Sequence, residues 1–270
     1  MKKKLLPNFL LNFNRKIRLK RILDNIKSDV KNISYTGKSN ILSELCEKYG
    51  SDKGFINIDI DNKPYNWHPH TYATYYHSIF NLSRQNIKYV FECGLGTNNP
   101  NLKSNMTENG IPGASLRVWR DYFVNAQIYG GDIDKEVLFE EDRIKTFYLD
   151  QLNSNSIKSM WETIEVEDFD IIIDDGLHEP EANYNFFINS FHKLKKNGVF
   201  VIEDVSNKYL VYLQNKLRNY DIDIIVGFTK SKSIRHANAL FPFHTELHLL
   251  FSCAQVLSLF LDNSLRRQQQ

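Results

Sequence analysis

The sequence predicts an α/β fold: a doubly wound, mostly parallel seven-stranded sheet with helices on both faces and a helical N-terminal extension. Three observations predict it. From about residue 85, short β-branched or aromatic runs alternate with helical stretches, the pattern of repeated βα units. The runs are continuously apolar, as in strands covered on both faces. Glycines and acids follow the runs directly, at the strand ends where open α/β sheets bind ligands.

The elements follow in chain order. Residues 1–40 form a basic extension in which Leu19, Ile22, Leu23, Ile26 and Val30 recur at helical spacing, predicting an amphipathic helix over residues 15–31. Residues 41–84 read as a helical, substrate-side segment, and residues 85–270 as the main domain. Strands are expected at Lys88–Glu92, Gln127–Gly130, Ile144–Leu149, Phe169–Ile173, Val199–Glu203 and Asp223–Val226, with a final antiparallel strand at Glu246–Phe251. Helices are expected at Ser115–Phe123, Ser154–Ile164, Glu181–Lys195 and Asn207–Arg218. The polar, turn-rich insert Asn98–Gly113 reads as a loop over the ligand.

Composition narrows the function classes. The 270 residues are 42% hydrophobic and 24% charged, an ordinary globular balance. No apolar run approaches the roughly 18 residues of a membrane span, and the broken start MKKKLLPNFLLNF reads as no signal peptide. The three cysteines are odd in number and far apart, which suits a reducing compartment and a cytoplasmic location. The net charge of +2 divides unevenly: residues 1–32 carry ten Lys or Arg against Asp24 and Asp29, so the body is mildly acidic. That balance argues against nucleic acid as a partner. The basic helix reads first as a solvated helix packed on the domain, and second as a contact with a membrane surface or an acidic partner. Self-association is a further expectation.

The residues after the strands carry the chemistry. After the first comes Glu92-Cys93-Gly94-Leu95-Gly96-Thr97, where Gly94 and Gly96 let the backbone approach a ligand. Asn99 stands where a dinucleotide fingerprint has its third glycine, which weakens a nicotinamide-dependent oxidoreductase reading. Asp132, after the second strand, is placed to hold ribose hydroxyls. Asp150 and Gln151 follow the third and could reach an adenine edge, although Asp150 could equally cap a helix. Asp174, Asp175 and His178 end the fourth strand, and Glu203 and Asp204 the fifth. Neighbouring parallel strands lie about 4.8 Å apart, so Asp175, Glu203 and Asp204 would converge. Three such carboxylates repel one another unless a cation neutralises them, and an oxygen-rich set suits Mg²⁺ or Mn²⁺. His178 could face the same cavity as a base. Asp174 could instead cap the next helix, and Asp204 could simply pair with a lysine. His68, His70 and His77, with Tyr72, Tyr75 and Tyr76, could line an acceptor pocket, as could Asp52 and Lys53, although packing roles come first for the cluster.

The segments YGSDKG (Tyr49–Gly54), HTYATYY (His70–Tyr76), FECGLGT (Phe91–Thr97), GASLRVWRDYF (Gly113–Phe123), IYGGDID (Ile128–Asp134), DRIKTFYLDQ (Asp142–Gln151), DDGLH (Asp174–His178) and GVFVIEDV (Gly198–Val205) together resemble the class I S-adenosylmethionine-dependent methyltransferases. Within these, they resemble the metal-dependent O-methyltransferases of macrolide sugars and their relatives in bacterial polysaccharide clusters. The resemblance spans about Leu45 to Asp204. It implies S-adenosyl-L-methionine held by Glu92, Gly94, Gly96, Ser115, Asp132, Asp150 and Gln151, with Asp174 on the same side. It implies Asp175, Glu203 and Asp204 as ligands of Mg²⁺ or Mn²⁺, and His178 as the base. The acceptor it implies is a sugar hydroxyl, free or nucleotide-linked. Methyl transfer to a phosphoryl oxygen and a non-catalytic nucleotide-binding scaffold are the alternatives. Leu177 departs from the commoner serine, and Glu179-Pro180-Glu181 departs from the usual polar stretch. The N-terminal 40 residues and the tail from about Lys230 lie outside the resemblance.

Overall fold

A computed structural model describes residues 39–54, 65, 69–70, 72–217, 220, 223–230 and 245–252. The expected basic helix at 15–31, His68 and the apolar tail ending lie outside the described residues.

In chain order the elements are α1 (Ile41–Tyr49), α2 (Tyr72–Phe80), β1 (Tyr89–Cys93), α3 (Ala114–Tyr122), β2 (Gln127–Asp132), β3 (Glu140–Glu141), β4 (Ile144–Tyr148), α4 (Ser154–Thr163), β5 (Phe169–Asp174), α5 (Pro180–Ser190), β6 (Leu194–Val205), α6 (Asn207–Leu217), β7 (Asp223–Lys230) and β8 (Thr245–Ser252). They form one sheet in the order β3-β4-β2-β1-β5-β6-β8-β7. The pairs from β4 through β6 are parallel, and β8 runs antiparallel to both β6 and β7. The seven expected strands are all present, and the two-residue β3 adds an antiparallel edge to β4.

Period-two alternation divides the core between the two faces of the sheet. Ile171, Ile173 and Val201 pack with Leu42, Tyr76, Trp119 and Phe123 beneath α1, α2 and α3. Ile172, Phe200 and Ile202 pack with Trp161, Phe186 and Leu213 beneath α4, α5 and α6.

One element departs from expectation. The helix expected to run to Lys195 ends at Ser190, and a 3-10 turn at Phe191–Lys193 leads into β6 from Leu194. Acidic partners draw the lysines out of the helix: Lys193 pairs with Glu167, and Lys195 with the buried Asp170. Leu194 pairs in register with Phe169.

Local capping fixes the segment between α1 and α2. Asn40 and Ser43 form a reciprocal capping box at the start of α1, and Gly50 ends it in the left-handed conformation. The Ser51 N–H bonds back to the Cys46 carbonyl at 2.9 Å. The Lys53 carbonyl accepts from Ala73 N at 2.8 Å, and the Asp52 carbonyl from His70 N at 2.7 Å. Lys53 is thereby tied directly to α2, and its neighbour Ser51 to α1.

Candidate functional site

Register builds the site. Cys93 pairs with both Gly131 and Asp174, and Asp174 with Ile202. The next residues along these strands, Gly94, Asp132, Asp175 and Glu203, therefore share one edge. At β6 the register against β8 shifts between Ile202 and Val205, and Asp204 sits at φ 54° within that irregularity. Bulges of this kind re-aim a side chain, and here Asp204 lines the cavity with Asp175 and His178.

The cavity measures about 520 Å³ and follows this edge. Gly94, Gly96, Ser115, Asp132, Asp150 and Gln151 line it, together with Asp175, His178, Glu203 and Asp204. Gly94 has φ +93°, and a Cβ there would meet the Asp175 carbonyl oxygen at 2.1 Å. Only glycine lets these two loops lie so close. The insert expected over the ligand contributes Leu102, Lys103, Ser104 and Met106 to the lining. Lys103 ties it to Glu179 at 2.7 Å.

Glu92 and Asp174 are buried and absent from the cavity lining. Glu92 Oε2 accepts from Trp119 Nε1 at 2.8 Å. Asp174 accepts from Gln151 Nε2 at 2.5 Å and Asn183 Nδ2 at 2.9 Å, while Gln151 Oε1 accepts from Leu177 N at 2.8 Å. Asp174 thus orders Gln151 and the loop carrying His178. Burial pushes its carboxyl up to about 6, against the opposing pull of these donors. Asp132 accepts from Leu95 N at 2.7 Å and Asp134 N at 2.8 Å, which fixes its carboxylate across the glycine loop. Burial raises its pKa.

The acidic cluster contains an internal cation. Lys53 Nζ lies 2.5 Å from Asp175 Oδ2 and 2.5 Å from Glu203 Oε2. Tyr76 Oη donates to the other Glu203 oxygen. Asp175 and Glu203 therefore do share a cation, and it is an ammonium. Burial would raise the Asp175 pKa, but the Lys53 ammonium and then His178 hold it below the ordinary carboxylate value. Burial, with Asp175 adding to it, pushes Glu203 well up.

Three ligand-type atoms, one each from Asp175, His178 and Asp204, lie within 4.8 Å of one another. His178 Nε2 is 3.9 Å from Asp175 Oδ1 and 4.0 Å from Asp204 Oδ2. His178 Nδ1 is buried with no hydrogen-bond partner among the described residues, and Tyr72 Oη donates to Asp204. The two carboxylates fit a divalent cation, with the imidazole beside them. The expected set of Asp175, Glu203 and Asp204 is therefore close together, but Glu203 has both oxygens engaged by Lys53 and Tyr76.

Of the aromatic and histidine cluster, His70 and Tyr72 line the cavity, stacked at 4.7 Å between ring centroids. His70 Nε2 lies 3.4 Å from Asp52 Oδ2. Tyr75 and Tyr76 are buried in the core, and His77 Nδ1 meets Tyr122 Oη at 3.0 Å away from the cavity. Sequence reasoning grouped Lys53 with acceptor-pocket residues and missed its role as counter-ion. The available signal was electrostatic: converging carboxylates need a cation, and a lysine can supply one.

No family model matches the chain. Among curated proteins it is 30% identical over 191 residues to an 8-demethyl-8-alpha-L-rhamnosyl tetracenomycin-C 2'-O-methyltransferase of Streptomyces olivaceus, covering 70% of this chain and 44% of that protein. It is 31% identical over 169 residues to the mycinamicin VI 2''-O-methyltransferase of Micromonospora griseorubida, covering 62% and 37%. The chain spans less than half the length of these relatives. Among solved structures, the MycE methyltransferase of mycinamycin biosynthesis, in complex with Mg and SAH, superimposes with a TM-score of 0.52 at 24% identity over 78% of this chain and 55% of that one.

Proposed function

We propose that this chain, which has the fold of the class I S-adenosylmethionine-dependent methyltransferases and is similar in sequence to their sugar O-methylating members, is a divalent-metal-dependent O-methyltransferase acting on a sugar hydroxyl. One observation carries the reading. Asp175, His178 and Asp204 gather three ligand atoms within 4.8 Å, in a cavity that also contains the glycine loop.

When bound, S-adenosyl-L-methionine would supply the methyl group as a sulfonium electrophile whose sulfur departs as a neutral thioether, and Mg²⁺ or Mn²⁺ would supply Lewis-acid activation of the acceptor hydroxyl. The chain's residues do the rest. Gly94 and Gly96 bring backbone against the cofactor's methionine portion, with Ser115 beside it. Asp132 takes the ribose hydroxyls; its carboxylate keeps acceptor capacity beyond its two backbone bonds. Asp150 and Gln151 flank the adenine, and Glu92 and Asp174 support these contacts from beneath the cavity floor. Asp175 and Asp204, with Glu203 adjoining, would hold the cation beside His178. His178 accepts the hydroxyl proton as the oxygen attacks, a role worth roughly 10²–10⁴-fold. His70 and Tyr72 offer a stacked face to the acceptor. Holding acceptor oxygen and methyl carbon in line supplies the remaining acceleration.

The setting we favour is glycan or glycoside biosynthesis, with a free or nucleotide-linked sugar as acceptor. The relatives named above methylate rhamnosyl and macrolide-glycoside substrates by name. Calorimetry with S-adenosyl-L-methionine, followed by a mass-spectrometric screen of nucleotide-sugars and capsule intermediates for methyl uptake, tests the reading. Cofactor binding together with methylation of a sugar hydroxyl supports it. Failure to bind the cofactor points instead to a scaffold, and a methylated phosphoryl oxygen overturns the acceptor class.

A further inference from the structure

The Lys53 side chain is 4% exposed and faces three carboxylates. Two of them, Asp175 Oδ2 and Glu203 Oε2, are at 2.5 Å. The third, Glu92 Oε1, is 3.3 Å away. Glu92 is completely buried, and that oxygen has no hydrogen-bond partner among the described residues, although Trp119 holds its twin. Its ion pair with Lys53 is longer than the other two, so of the three carboxylates this buried one is the most weakly held by the ammonium. Here it lies within reach of an ammonium already engaged on the other side. The Lys53 carbonyl is fixed to Ala73 of α2, so a change of partner requires only side-chain rotation.

Asp175 is also shared. Its Oδ2 accepts from Lys53, and its Oδ1 faces His178 Nε2 in the metal-type cluster. An ammonium and a dication on one carboxylate repel each other strongly at such distances.

We propose that Lys53 is a two-position counter-ion. It neutralises Asp175 and Glu203 when no dication is bound and turns to Glu92 Oε1 when one enters. Glu92 is then the positioning residue that makes room for the metal. The inference rests on the metal-dependent reading of the site.

The test is a double-mutant cycle on Mn²⁺ affinity, measured by calorimetry on the full chain without acceptor or turnover. Lys53→Met removes the competing charge, and Mn²⁺ binding tightens about tenfold. Glu92→Gln removes the receiving charge while leaving the Asp175–Lys53–Glu203 contact in place, and binding weakens about tenfold. In the Lys53→Met background, Glu92→Gln changes affinity by less than about twofold, because no ammonium remains to be received. Should Lys53→Met not fold, Lys53→Gln serves as the neutral background, since its amide can still donate to the carboxylates. Equal effects of Glu92→Gln in both backgrounds overturn the switch and leave the metal reading intact. No Mn²⁺ binding by the unmodified chain overturns both.

Discussion

Replacing His178 by alanine removes the imidazole facing Asp175 and Asp204 but none of the residues proposed to hold the cofactor. Affinity for S-adenosyl-L-methionine should stay within about twofold, while turnover falls by roughly 10²-fold or more. Calorimetry and a methyl-uptake assay on the same preparation check this, and undiminished turnover would remove His178 from the chemistry. A second residue reports on stability. Asp121 of α3 accepts from Tyr49 Oη at 2.5 Å, Lys48 Nζ at 3.0 Å and Arg120 Nε at 2.9 Å. Burial would raise its carboxyl, but these donors outweigh it and lower the pKa from 3.8 to about 2. A carboxylate depressed on folding contributes stability above its unfolded pKa and loses that contribution as pH falls through the folded value. Asp121→Asn should therefore cost about 1 kcal/mol at pH 7. Its melting temperature should converge with that of the unmodified chain between about pH 4 and pH 2. A constant difference across that range would contradict the assignment. The converging acids Asp175, Glu203 and Asp204 were readable at this scale because each ends an obvious apolar run. Lys53 was not, because its seat depends on contacts 122 and 150 residues away.

At the scale of elements, the apolar runs located the strands because doubly covered strands require continuous apolar sequence. The boundary between α5 and β6 was misread, since Phe191, Lys193, Leu194 and Lys195 fit helical spacing until the acidic partners of the lysines are known. The turn after β1 makes the sharpest prediction. At Gly94 a Cβ meets the Asp175 carbonyl oxygen at 2.1 Å with φ at +93°, so neither rotation nor repacking of a side chain relieves the clash. Gly94→Ala should destabilise the fold by about 1–3 kcal/mol. Because it separates the glycine loop from Asp175, it should also abolish cofactor binding. Thermal melts followed by calorimetry would show both losses; cofactor affinity unchanged in Gly94→Ala would mean that this loop does not hold the ligand.

At the scale of the molecule, the sheet brings together at one edge residues from the segment before β1 and from three strand tips. Lys53, Glu92, Asp175 and Glu203 meet there, with His178 and Asp204 beside them. The segment between α1 and α2 is therefore part of the site: its Lys53, bonded through the carbonyl to α2, is the cation that opposes the acids. No helix among the described residues is long and apolar enough to cross a membrane. Metal dependence of the proposed methyl transfer can be measured directly. Chain stripped with a chelator and dialysed is offered S-adenosyl-L-methionine and the acceptor identified by the screen, and methyl uptake is followed before and after Mg²⁺ or Mn²⁺ is returned. The stripped chain should take up no methyl, and either ion should restore uptake in full. Undiminished uptake after stripping would contradict metal dependence.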